Sequence, residues 1–298
     1  MPNKPPKIKP PAISKSKPPS ANKAAPRTAK SFSVETVDAS GYGEKLIIYA
    51  PSGLGKTTLA SMAPDPVFID LDGSASHIRN PITGEPLRVV QGIEDFADLR
   101  DALNQSSLWP KGGTVVLDTA TKVCEELAPA FVLATQTIKG QRVDSFRKFG
   151  WDGDRYVLDV MRALLTDLDS HVRNGRNVIL LCQQGQGTVS NSEGADFQRD
   201  EPALQHRKDC SVLETYKQWA NHVLRIGYAD VNVLAEDGKR GKAALTSDTT
   251  RIIYTGGALH FAAKTRPING YRLPEAISFE EADDNSLMQY LFEGARAE

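Results

Sequence analysis

The chain has 298 residues, 40% of them hydrophobic and 24% charged, ordinary proportions for a globular protein and enough to bury a sizeable core. No segment approaches the ~20 consecutive apolar residues that span a bilayer, so no transmembrane helix is expected and a membrane role would have to come from a partner. The formal net charge of −1 hides an asymmetry: residues 1–31 carry eight basic groups and no acid, leaving 28 basic against 37 acidic residues in the rest.

That basic tail is crowded with proline and lysine and poor in bulky apolar residues. It cannot bury enough surface to offset the entropy of ordering, so residues 1–31 are expected to be disordered and 32–298 to form one domain. It lacks the apolar stretch of a secretory signal and the Arg- and Ser-rich amphipathicity of a transit peptide, and a cytoplasmic location is expected. Cys124, Cys182 and Cys210 are odd in number and form no Cys-x-x-Cys pair, which predicts reduced thiols. His206, Cys210 and His222 are near one another in sequence, but no fourth ligand falls at a zinc-finger spacing.

In chain order, Leu46-Ile47-Ile48-Tyr49 reads as a short buried strand that runs into a glycine-containing turn, and residues 57–62 as a helix that Pro64 stops. Residues 67–72 form a second apolar run ending in carboxylates. Phe96, Leu99 and Leu103 recur at helical spacing until Gly112-Gly113. Residues 114–118 then make a third strand, again with an acid at its end. Met161, Leu164, Leu165, Leu168 and Val172 continue a helical stripe, and residues 177–184 read as a fourth buried strand. This alternation predicts an α/β fold with a mostly parallel sheet flanked by helices. Beyond about Ser211 the segments 222–234, 250–254 and 259–263 read as strands joined by turns, notably Asp237-Gly238, and predict a C-terminal antiparallel extension. No internal repeat is present.

The strongest signal is the run Ala50-Pro51-Ser52-Gly53-Leu54-Gly55-Lys56-Thr57-Thr58 between the first strand and first helix. Such a loop points successive N–H groups at phosphate oxygens, while Lys56 reaches the outer phosphates and Thr57 can ligate Mg2+. Ala50 stands where the first glycine of this motif usually falls. Asp118 follows four apolar residues and emerges at the carboxyl edge of the sheet, where it can hold Mg2+ through water; an ordinary helix cap at Asp118 or Thr119 is the plainer alternative. Asp72 can orient or deprotonate the water that attacks a terminal phosphate. Alternation places Asp70 on the same side, so periodicity leaves the choice between the two open. A GTPase is disfavoured because no Asn-Lys-x-Asp run follows.

Two long polar connections stand out. Residues 137–155 mix Lys139, Arg142, Arg147 and Lys148 with Phe149 and Trp151, as a surface for single-stranded DNA would. Residues 185–210 are glycine-rich and too long for an ordinary connector, although Asp196, Asp200 and Glu201 weaken a basic-groove reading. Either connection could instead be a plain surface loop.

Phe68-Ile69-Asp70-Leu71-Asp72, Val115-Val116-Leu117-Asp118 and Ile179-Leu180-Leu181-Cys182-Gln183-Gln184 resemble the core of RecA and its relatives. Together with Ala263-Lys264-Thr265-Arg266 and the later Leu273-Pro274, the chain resembles the phage AAA-ATPase family, which includes RecA-like single-strand annealing proteins. The resemblance implies a RecA-like P-loop NTPase using ATP and Mg2+ on single-stranded DNA for annealing or strand exchange, in the host cytoplasm if phage-encoded. It also implies that Asp72 acts on the attacking water and that Gln184 senses the terminal phosphate. Lys264 and Arg266 would reach the ATP of a neighbouring subunit in a ring or filament; charge on a solvated edge strand is the alternative. The competing functions are a P-loop kinase for a small acceptor and a motor or helicase loader that acts on protein partners.

Overall fold

The computed structural model describes residues 34, 41–190, 194–229, 250–268 and 270–293. All elements fall within the unit Asp38–Glu298. The tail of residues 1–31, the end of the strand expected at 222–234 and the Asp237-Gly238 turn lie outside the described residues.

The first strand, β1 (Lys45–Ala50), is buried from Leu46 onward, as expected of a parallel strand covered on both faces. The loop that follows leads into α1 (Lys56–Ser61) and β2 (Pro66–Asp70). Helix α2 (Phe96–Asn104) starts at a capping box in which Asp95 accepts from the N–H groups of Ala97 and Asp98, and the Asp98 carboxylate returns the contact. After β3 (Thr114–Asp118), a short α3 (Ala120–Lys122) passes through the π turn Val123–Leu127 into α4 (Ala128–Thr135). Then come α5 (Trp151–Arg173), β4 (Asn177–Val189), β5 (Phe197–Pro202), α6 (Val212–Trp219) and β6 (His222–Tyr228). The chain ends in β7 (Arg251–Tyr254), β8 (Ala276–Ser278) and α7 (Ser286–Met288).

The sheet has the order β2-β3-β4-β1-β6-β7-β8, and β5 pairs with β4 off this path. Its first five strands are parallel, while β7 and β8 run antiparallel. Helices α2 to α6 cover one face, where Phe96, Leu99, Leu164 and Tyr216 pack on Ile47, Tyr49 and Leu180. On the other face, Leu59 of α1 and Leu287 of α7 pack on Ile48, Ile179, Leu181 and Phe279. The mostly parallel sheet, its flanking helices and its late antiparallel extension all match expectation.

Four details differ. Residues 185–210, read as a long polar connection, contain regular pairing: β4 runs five residues beyond Gln184 and forms a hairpin with β5. Strand β6 is parallel to β1 and so belongs to the core; α6, whose Val212, Leu213 and Tyr216 are buried, supplies the crossover. Residues 259–263 form no strand, and Phe261 makes only isolated bridges while packing against Tyr254. The second strand stops at Asp70, which leaves Asp72 in the turn beyond it.

Tyr49 ties the hairpin and the late turn to the core. Its buried hydroxyl is 3.0 Å from the Asp200 carbonyl and 2.6 Å from that of Ala262. Tyr49→Phe is expected to lower unfolding free energy by about 1–3 kcal/mol, because the Ala262 carbonyl loses its buried donor. Denaturant titration checks this, and an unchanged midpoint would show the bond to be worthless.

Candidate functional site

The loop after β1 closes over a cleft of about 380 Å³ at the carboxyl edge of the sheet. Ala50 ends β1 fully buried, with its methyl group in the same apolar cluster as Leu54 and Leu59, so a small side chain fits where glycine is usual. Pro51, Ser52 and Gly53 are exposed along the loop. Gly53 and Gly55 have φ of +84° and +91°, which L-residues with a side chain rarely adopt, and these two turns curl the chain back on itself. Leu54 anchors the loop in the core, and Thr57 and Thr58 line the cleft at the start of α1.

Lys56 is only 7% exposed. Its ammonium donates to the carbonyls of Ala50 (3.0 Å) and Pro51 (3.2 Å) and to Gln183 Oε1 (3.1 Å). Burial lowers its pKa from the usual lysine value, against the pull of Asp118 and Asp72. Beside it, the Thr57 hydroxyl donates to Asp118 Oδ2 at 2.7 Å. Asp118 is 2% exposed, and burial pushes its carboxyl up to about 6; the Thr57 hydrogen bond opposes the shift, while the charges of Asp70 and Asp72 add to it. A desolvated carboxylate near two others is an arrangement that a cation relieves.

Hydrogen bonding separates the two strand-end acids. Asp70 Oδ1 accepts from the N–H groups of Gly73 and Ser74, and Oδ2 from that of Ala75, so this carboxylate is occupied in holding the turn. Asp72 lines the cleft with Lys56, Thr57 and Asp118. Its Oδ1 is 3.7 Å from Lys122 Nζ, and that ammonium also donates to the Leu71 carbonyl.

Of the two glutamines, Gln183 is the one in the cleft. It shares a strand face with Ile179 and Leu181, the face that α1 covers, whereas Gln184 points to the opposite face and its Oε1 has no partner among the described residues. The Gln183 backbone N–H donates to Thr121 Oγ1, which fixes the end of the buried part of β4. The resemblance to RecA selected Gln184; strand parity would have selected Gln183 only if the face taken by the loop helix were known.

Lys264 and Arg266 are not in this cleft. The backbone of Lys264 pairs with Val223, and the Arg266 N–H donates to the Asn221 carbonyl. Val223 is in register with Ile47, three residues before Ala50, so these cations lie roughly 10 Å or more toward the far edge of the sheet. The Lys264 pKa is lowered by burial and then by Arg266, Lys217 and Lys45. In the connection 137–155, Lys139, Arg142, Arg147, Lys148 and Trp151 are exposed, Trp151 at 79%. Phe149 instead belongs to the core, edge-on to Tyr156, and cannot serve as a stacking surface. Cys124, Cys182 and Cys210 are free and buried.

A glycine-turned loop between the first parallel strand and its helix, a lysine at its end and an acid closing β3 define a P-loop α/β domain. The chain belongs to the family described as AAA domain, whose model matches residues 43–267. Among solved structures, it is similar to a KaiC-like protein from the hyperthermophilic archaeon Pyrococcus horikoshii, with 13% identity over 72% of this chain and 78% of that one and a TM-score of 0.38. It is also similar to a RadB recombinase, with 14% identity over 82% and 90% and a TM-score of 0.35. Both likenesses are too distant to speak to function. A search of curated proteins finds no match. No described helix is long and apolar enough to cross a membrane.

Proposed function

We propose that this chain is an ATPase that uses Mg2+ and ATP to organise single-stranded DNA, a RecA-like recombination protein of phage type that anneals or exchanges strands. The observation that carries the ATPase reading is the convergence of Lys56, Thr57, Asp72, Asp118 and Gln183 on one cleft. The donor set fits Mg2+: the Thr57 hydroxyl and Asp118 carboxylate are hard oxygens, already 2.7 Å apart, and a cation there would offset the burial of Asp118 beside Asp70 and Asp72. The metal would offset negative charge on the phosphates. Lys56 would leave its loop carbonyls for the outer phosphates, and Gln183 would follow its position. Asp72 would orient the attacking water and take its proton as the bond from the terminal phosphorus to the bridging oxygen breaks.

Two surfaces support the DNA reading. The exposed cations and Trp151 of 137–155 suit phosphates and a stacked base. The β4–β5 hairpin continues the strand that carries Gln183, so its root adjoins the cleft. Lys264 and Arg266 lie away from their own loop, and a head-to-tail neighbour could receive them. Such an interface would close a ring or propagate a filament.

The discriminating experiment is phosphate release with and without single-stranded DNA, run beside a mass measurement. Stimulation together with assembly is expected. Rapid phosphate transfer to a small acceptor by a monomer would replace this reading with a kinase. Mixing the inactive variants Lys56→Ala and Arg266→Ala should restore part of the ATPase, since some interfaces pair an intact loop with an intact cation. A mixture that assembles and stays dead rules out shared sites.

A further inference from the structure

Arg251 opens β7, where it pairs with Tyr228 of β6, and its carbonyl accepts from the Phe279 N–H. The guanidinium carbon lies 4.4 Å from the centroid of the fully buried Phe279 ring, and Nη2 donates to the Glu280 carbonyl at 2.8 Å. This stacking and bonding fix the plane of the side chain. The remaining edge faces the phosphate-binding loop: a methyl group placed on Gly55 would sit 2.9 Å from Nη1 and 3.2 Å from Phe279 Cε1. Gly55 therefore leaves room for a cation as well as for its own φ of +91°. Among the described residues no carboxylate forms an ion pair with Arg251.

A half-buried guanidinium held over an aromatic ring, with a donor edge on a phosphate-binding loop and no carboxylate partner among the described residues, is built for an anion that arrives with the ligand. Its direction of approach says which part. In the sheet β1 has β4 on one side and β6 on the other. Gln183 reaches Lys56 from the β4 side, with Asp118 and Asp72 in the same cleft. Arg251 comes from the β6–β7 side, across Gly55 from that group. We infer that Arg251, stacked on Phe279, binds the inner diphosphate of the nucleotide, on the flank of the loop opposite the groups that handle the terminal phosphate. This rests on the reading of the cleft as a nucleotide site and adds a contact that no P-loop motif specifies.

The test is calorimetric titration of the full chain with Mg2+ and ADP, and separately with a non-hydrolysable ATP analogue. Arg251→Gln should raise Kd for both ligands by about 10- to 100-fold, the loss expected for hydrogen bonds to a charged group, with little change in the unfolding midpoint of the nucleotide-free protein. Equal affinity of variant and wild type overturns the inference, as does a loss confined to the ATP analogue, which would put the guanidinium at the terminal phosphate. Should Arg251→Gln fail to fold, Arg251→Lys decides. An ammonium cannot span Glu280 and a phosphate together, so a loss of about threefold or more is expected and an unchanged Kd overturns the inference. A wild type that binds neither nucleotide overturns the nucleotide reading itself, a result distinct from failure of this one contact.

Discussion

Lys56→Ala should bind ATP at least about 100-fold more weakly than the wild type and unfold within about 3 °C of it. The first half follows from charge: two charge-assisted hydrogen bonds to phosphate oxygens contribute about 3 kcal/mol or more, a factor of over 100 in Kd. The second half follows from burial. The ammonium is buried, which disfavours its charge, and its hydrogen bonds to Ala50, Pro51 and Gln183 offset that cost. Removing the charge and the bonds together leaves the balance nearly level. Equilibrium titration with a fluorescent ATP analogue and a thermal melt measure the two halves. Near-normal affinity in a folded Lys56→Ala protein would mean that the loop does not cradle phosphate.

Asp72→Asn should keep ATP affinity within about threefold and slow hydrolysis by at least ~100-fold, the loss expected when a group that accepts or orients a proton is neutralised. Asp70→Asn should behave differently. Its carboxylate accepts three backbone N–H groups, and an amide nitrogen facing one of them costs about 1–2 kcal/mol of stability. Single-turnover phosphate release and denaturant melts on both variants separate chemistry from turn stability. If the rate collapses in a stably folded Asp70→Asn and survives in Asp72→Asn, the carboxylates have exchanged roles.

Much of the architecture was legible because buried parallel strands are written as unbroken apolar runs. Ile47 to Tyr49, Val115 to Leu117 and Val178 to Leu181 could hardly be anything else in a chain punctuated by helical stripes. The hairpin was not legible. Gly185, Gln186, Gly187 and Thr188 face Gln198 to Glu201, and a ribbon whose only apolar pair is Val189 with Phe197 carries no alternation to read. The opposite error occurred at 259–263, where Phe261 is apolar because it packs on Tyr254 and Arg225, not because it joins a ladder. Helix α6 is eight residues long and buries three of them, too brief a stripe to separate from a strand.

Within the site, residues defined by covalent spacing were readable and those defined by facing were not. The loop from Ala50 to Thr58 is a local motif, and Asp118 follows from the strand before it. Gln183 against Gln184 depends on which face of β4 meets α1. Asp70 against Asp72 depends on where the strand stops and which N–H groups turn back. Arg251 and Phe279 reach Gly55 from some two hundred residues away in sequence, through a strand pairing that no local pattern announces.

Strand β4 ends differently from how it begins. Its residues Val178 to Leu181 have neighbours on both sides, β3 and β1, whereas from Gln184 to Val189 its described ladder partner is β5. A two-stranded ribbon is marginal by itself, and this one is moored at its root by Arg225 to Asp200 and by Lys217 to Glu201. One unbroken strand therefore contains two hydrogen-exchange regimes: amides near Leu180 open only when the whole sheet does, while those near Thr188 exchange through local fraying. The boundary falls within a residue or two of Gln183, so a ligand that immobilises the ribbon would register as slowed exchange beginning at the very residue that touches Lys56.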